Sequence, residues 1–122
     1  MKKVLIVDDE LSIVNFITDV VRVLGFESRH LTDGKKVVAT AREWKPNIIT
    51  LDLMIPSPDG LTLLNQLKAD PNTSDISVYI ITALKATPEL AQKLETAQAV
   101  FYKPIDTKEF IGHLRGPASL HS

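Results

Sequence analysis

The chain of 122 residues has no cysteine. That excludes a disulfide framework, a thiolate zinc site and a cysteine nucleophile, and it suits a reducing compartment. No apolar run approaches the roughly 20 residues that a membrane span needs. The opening Met1-Lys2-Lys3-Val4-Leu5-Ile6-Val7 has the basic-then-apolar order of a signal peptide. Asp8-Asp9-Glu10 ends the apolar run after four residues, too short for a secretory core, so a cytoplasmic location is the expectation. Neither sign of charge dominates: the net charge is −1, which gives no global field to attract nucleic acid. The histidines, His30, His113 and His121, are scattered, and none has a metal-ligand partner at useful spacing. Repeats and low-complexity segments are absent. What is present is ordinary globular material, 44% hydrophobic and 24% charged, enough for one compact domain with a core of its own.

Short apolar runs alternate with longer amphipathic stretches. Val4-Leu5-Ile6-Val7 is continuously apolar and mostly β-branched, as in a strand buried on both faces. Ile13, Phe16, Ile17, Val20, Val21 and Leu24 then recur at spacings of three and four, one face of a helix that Gly25 stops. Residues 26–31 read as a second strand, placed at a sheet edge by Glu27, Arg29 and His30. Asp33-Gly34 is expected to open a helix with Val37, Val38, Ala41 and Trp44 inward, ended before Pro46. Residues 47–51 form a third strand that delivers Asp52, and residues 53–58 a loop. Asp59 suits the N-cap of a helix through Leu61, Leu64 and Leu67, stopped near Asp70-Pro71.

Residues 76–81 read as a fourth strand delivering Thr82. Thr87-Pro88-Glu89 is an N-cap followed by proline at the first helical position, opening a helix with Leu90, Leu94 and Ala97. Residues 100–102 are a short fifth strand delivering Lys103-Pro104. Asp106 and Glu109 have capping-box spacing for a last, short helix with Phe110 and Leu114. Strict alternation of five strand–helix units predicts an α/β fold with parallel strands and right-handed crossovers.

In an open α/β sheet, ligands bind beyond the carboxyl ends of the strands. Asp8, Asp9, Asp52, Thr82 and Lys103 stand at those ends. Carboxylates held close disfavour one another's ionisation. Mg²⁺ relieves that, needs only one or two carboxylates, and completes its shell with water and phosphate oxygens. One carboxylate is then free as a nucleophile toward phosphorus, while the metal and the compact charge of Lys103 neutralise the transferring group. The Thr82 hydroxyl can donate to a phosphoryl oxygen, and small Ala83 leaves a path to Asp52. Each residue also has a plainer reading. Asp8-Asp9 would cap the first helix, where the dipole favours anions; Asp52 would be a turn residue, Thr82 a partner for backbone groups, and Lys103 a solvated side chain. Trp44 and Phe16 are most simply core. The company these residues keep at one rim favours the chemical reading.

Val-Asp-Asp-Glu at 7–10, the run Asp-Leu-Met-Ile-Pro-Ser-Pro-Asp-Gly at 52–60, Ile81-Thr82-Ala83 and Lys103-Pro104 stand in family-like order and spacing. With these the chain, from residue 3 to about 115, resembles the receiver domains of two-component response regulators. The resemblance implies a flavodoxin-like (βα)5 fold, with a five-stranded parallel sheet in order 2-1-3-4-5 and helices on both faces. Residues 1–115 would be the receiver domain, and 116–122 a tail or linker remnant. Asp52 would be the phosphoacceptor. Asp8, Asp9, Asp52 and the backbone carbonyl of Met54 would hold Mg²⁺. Thr82 would be the switch hydroxyl and Lys103 the phosphate-binding lysine, followed by a cis peptide to Pro104. Such a domain catalyses only its own phosphorylation and dephosphorylation.

A histidine kinase or phosphotransfer protein would be the donor, docking on the first helix. The output would pass to an effector, or to a second copy, through the face of the fourth helix, fifth strand and fifth helix, with no direct contact to nucleic acid or membrane. Met54 and Leu84 would tune the phosphoryl lifetime. Two positions depart from the family pattern: Ile55 where methionine is frequent, and Val100 where an aromatic is usual. Strand alternation puts Tyr102, not Phe101, on the face of Val100.

Val100 motivates one alternative, a degenerate receiver acting as a constitutive binding module. A second is an aspartyl phosphatase like the haloacid dehalogenase enzymes. It is opposed by the adjacent aspartates on the first strand, by a nucleophile candidate on the third, and by the lack of a cap domain. A flavin site would need a Ser/Thr/Gly-rich phosphate loop after Val7, where acidic residues stand instead.

Overall fold

Ten elements alternate along residues 2–116, the part of the chain that the computed structural model describes. They are β1 (Lys3–Val7), α1 (Leu11–Val23), β2 (Glu27–Leu31), α2 (Val37–Trp44), β3 (Ile48–Asp52), α3 (Gly60–Ala69), β4 (Ser77–Thr82), α4 (Pro88–Lys93), β5 (Ala99–Tyr102) and α5 (Thr107–Arg115). The strands form one parallel sheet in the order β2-β1-β3-β4-β5, as the resemblance implied. Of the expected tail, residues 117–122 lie outside the described residues. No helix among the described residues is long and apolar enough to cross a membrane.

Alternation along the strands divides the core in two. Leu5 and Val7, Ile49 and Leu51, Val78 and Ile80 face α2 and α3, where they meet Val37, Trp44, Leu63 and Leu67. Val4 and Ile6, Ile48, Tyr79 and Ile81, and Phe101 face α1 and α5, against Val14, Ile17, Val21, Phe110 and Leu114. The three middle strands are therefore buried on both sides, while edge strand β2 carries the exposed Glu27, Arg29 and His30. The expected caps are in place. Asp59 accepts from the Thr62 N–H at 2.9 Å, Thr87 from Leu90 at 3.1 Å, and Asp106 from Glu109 at 3.0 Å.

Two helices differ from expectation. The helix expected from Asp33-Gly34 begins only at Val37. Asp33 instead accepts from the Lys35 N–H in a turn, and Gly34 N–H reaches the Pro56 carbonyl. A Cβ on Gly34 would lie 2.2 Å from the Pro58 carbonyl oxygen, so this segment is pressed against the loop after β3 before the helix can start. The fourth helix is six residues long and buries none of them. Leu94, expected on that helix, is buried just after it, and Ala97 packs on the core from the turn that follows. The chain must leave the helix early to reach β5, and Leu94 enters the core from that turn. The Lys103–Pro104 peptide is cis, as implied, and so is Ser57–Pro58.

Candidate functional site

The period of two that builds the core also builds the site. On β1, Val4 and Ile6 point toward α1 and α5, and Asp8 is next in phase. On β3 the same phase runs Ile48, Thr50, Asp52; on β5 it runs Ala99, Phe101 and then Lys103. Three strands thus end in a charged residue on one side of the sheet. Thr82 has the other phase, following Val78 and Ile80, and approaches the same rim from the opposite side.

The Lys103 ammonium lies at the centre. Its Nζ donates to Asp52 Oδ2 at 3.1 Å and to Glu10 Oε1 at 3.2 Å, and it stands 3.4 Å from Asp8 Oδ2. Asp52 and Asp8 are both buried. The second Asp52 oxygen, Oδ1, accepts from the Met54 N–H at 3.0 Å, and Asp8 Oδ1 accepts from the Glu10 N–H at 2.9 Å. Burial pushes the Asp8 carboxyl up to about 6, and the charge of Asp52 adds to that. The Glu10 N–H and the Lys103 ammonium oppose it. Burial also works against the charge of Lys103. The hydrogen bond to Asp52, the charges of Asp8 and Asp52 and the bond to Glu10 outweigh it and hold the ammonium above the ordinary lysine value. Lys103 is therefore cationic throughout the neutral range.

One ammonium does not balance this many acids. Asp8, Asp9 and Asp52 each offer an oxygen within 4.8 Å of the others. Asp8 Oδ2 is buried and makes no hydrogen bond, despite its ion pair with Lys103. An all-oxygen, anionic donor set with an orphaned buried oxygen, beside an exposed Asp9, fits a hard divalent cation better than a soft one. Met54 extends an exposed side chain, while its N–H closes the turn on Asp52.

Thr82 is buried, and its Oγ1 accepts from the Leu84 N–H at 3.0 Å, which leaves the hydroxyl proton for another acceptor. The Lys103 N–H donates to the Thr82 carbonyl at 2.8 Å, tying the ends of β4 and β5 together. Gly60 lets α3 start hard against the end of β3: its N–H donates to the Leu53 carbonyl at 3.1 Å, and a Cβ there would lie 2.4 Å from the Asp52 carbonyl oxygen.

Asp8, Asp9, Asp52 and Lys103 are thus brought together, and Thr82 stands at the same rim without a bond to Asp52. Glu10, the last residue of the Val-Asp-Asp-Glu run, joins them without a role assigned from its sequence position. A long side chain at a helix start has no periodic signal to say that it folds toward a lysine 93 residues away. On β5, Val100 packs toward α2 and α3, and Tyr102, half-exposed on that same side, is the register partner of Thr82. Phe101 is on the opposite side, edge-on to Phe110 at 5.3 Å. Tyr102 and Val100 thus share a side, as alternation predicted, and the aromatic nearest Thr82 in register is Tyr102.

Comparisons with known proteins converge. A model of the response regulator receiver domain matches residues 4–115. The DNA-binding dual master transcriptional regulator RpaA of Synechocystis is 33% identical over 94% of this chain, which matches 48% of RpaA. The response regulator PleD of Caulobacter vibrioides is 35% identical over 93% of the chain, matching 25% of PleD. The chain thus spans half or less of the length of these relatives. Among solved structures, the Francisella response regulator 1452 receiver domain has a TM-score of 0.83 at 27% identity, covering 94% of each chain. The chemotaxis protein CheY4 of Vibrio cholerae, with a TM-score of 0.84 at 23% identity over 94% of this chain and 97% of that one, shares the fold.

Proposed function

The chain belongs to the response regulator receiver domain family, and on that premise we propose that it is a signalling switch operated by phosphorylation of Asp52. One observation carries the reading: the Lys103 ammonium sits 3.1 Å from Asp52 Oδ2, inside a carboxylate cluster whose buried Asp8 Oδ2 has no hydrogen bond. Asp8, Asp9, Asp52 and the Met54 backbone carbonyl would hold Mg²⁺, which supplies neutralisation of the charge on the transferring phosphoryl group. The residues do the rest. An Asp52 oxygen forms the new P–O bond as the P–N bond of a phosphohistidine breaks, and the electron pair leaves with the imidazole nitrogen, which takes up a proton. Lys103 pairs with a phosphoryl oxygen. Thr82 gives up the Leu84 N–H and donates its proton to another phosphoryl oxygen, drawing in the loop after β4.

The donor in this reading is a histidine kinase or phosphotransfer protein docking on α1. The output surface is α4, β5 and α5, offered to an effector or a second copy. The short α4, with no buried residue, supports this as the movable part. Residues 1–115 act as the receiver unit and 116–122 as a tail or linker, in the cytoplasm where such donors work. The domain turns over only its own acyl phosphate and has no separate substrate.

Incubation with acetyl phosphate and Mg²⁺, followed by intact-mass analysis and peptide mapping, tests this. One phosphoryl group on the Asp52 peptide, absent without Mg²⁺ and absent in Asp52→Asn, is expected. Failure of the wild-type protein to take up a phosphoryl group, or to change spectrally near Asp52 with BeF₃⁻, would overturn it in favour of a constitutive binding module.

A further inference from the structure

Lys103 has three N–H protons to give, and three carboxylates surround them: Asp52 at 3.1 Å, Glu10 at 3.2 Å and Asp8 at 3.4 Å. Phosphorylation and the cation site employ Asp52 and Asp8. Glu10 is left over. It lies outside the trio of clustered aspartates, and its side chain is 55% exposed, so it stands at the mouth of the site. Yet it is tethered at three points. Its N–H donates to Asp8 Oδ1, Oε1 takes the Lys103 ammonium, and Oε2 accepts from Ser12 Oγ at 3.3 Å. The two contacts made by its carboxylate give the side chain a direction.

We propose that Glu10 is a positioning residue that restrains phosphorylation: it holds the Lys103 ammonium toward the outer rim and keeps a negative charge where an anionic phosphodonor must enter. The inference rests on the switch reading above. An ammonium bound to Glu10 has to exchange that contact for a phosphoryl oxygen. The exchange, together with repulsion of the donor, slows the transfer. Glu10 touches no reacting atom; it acts through Lys103 and through its field at the entrance. Exposed ion pairs of this kind usually change an equilibrium or a rate by about two- to fivefold, and salt screens them.

The full chain as Glu10→Gln, at saturating Mg²⁺ with acetyl phosphate, is expected to phosphorylate Asp52 about two- to fivefold faster than wild type at low salt, with the difference shrinking near 1 M salt. Glu10→Asp keeps the charge but shortens the reach, and should gain less. In ¹⁵N spectra of the unphosphorylated protein, the Lys103 ammonium signal should shift in Glu10→Gln and stay in place in Glu95→Gln, whose carboxylate is exposed elsewhere. A Glu10→Gln protein no faster than a competent wild type overturns this inference alone, as would an acceleration that salt does not reduce or an ammonium signal that does not move. Wild-type protein that takes up no phosphoryl group overturns the switch reading, and this inference falls with it.

Discussion

Thr50 and Asp8 are both buried polar residues, with opposite consequences. Thr50 stands on β3 two residues before Asp52, and its hydroxyl has no hydrogen-bond partner among the described residues. A buried unpaired hydroxyl costs about 1–3 kcal/mol. Thr50→Val, close in shape, should therefore raise stability by about 1 kcal/mol, read as a higher urea midpoint at constant m-value. Asp8 is instead a buried group that titrates. Its pKa in the fold is raised from 3.8 to about 6, so folding favours its protonated form. The stability tied to that proton is fully present below pH 3.8 and is lost as pH rises through about 6. In metal-free buffer, lowering the pH from 7 to 5 should narrow the stability gap by which Asp8→Asn exceeds wild type, as paired urea titrations would reveal. Lys103 adds no slope in that window, because its raised pKa lies far above it.

Glycine marks the contrast between helices α3 and α5. At the start of α3, a Cβ on Gly60 would meet backbone on two sides, the Asp52 carbonyl oxygen at 2.4 Å and Leu53 Cα at 2.5 Å. Backbone cannot swing aside, so Gly60→Ala should cost about 1–3 kcal/mol and displace the Met54 turn that rests on Asp52. Within α5, a Cβ on Gly112 would meet nothing within 4 Å. Gly112→Ala should stabilise by about 0.5–1 kcal/mol through helix propensity alone. Thermal denaturation of the two variants should move in opposite directions. The cap residues behaved as sequence-level elements: Asp59, Thr87 and Asp106 each bond the N–H three residues on. The α2 start did not, since its delay comes from Pro58, a residue of another loop.

At the scale of the whole molecule, the sheet carries an unbalanced cluster of acids at one end, and a cation that binds only the folded state stabilises the fold by mass action. Mg²⁺ at about 100 times its dissociation constant should add about 2.7 kcal/mol, removed by EDTA and reduced in Asp8→Asn. No gain on adding Mg²⁺ would count against the metal site. Most of the architecture was legible along the chain. Apolar periods of two and of three to four, together with cap residues, are local quantities, and they mark strands and helices to within a residue or so at β2, β3, β4 and β5. Alternation also placed Asp52 at a strand end and Tyr102 on the side of Val100. What the sequence determined by itself was therefore the succession of elements and the chemistry that each strand end presents. Which of those groups touch was settled by the folding of distant segments onto one another. Lys103 meets Asp52 across 51 residues and Glu10 across 93, and Thr82 comes to the rim from the opposite face. Such contacts depend on how strands far apart in the chain are ordered side by side and on the direction of a long side chain, neither of which is encoded in neighbouring residues.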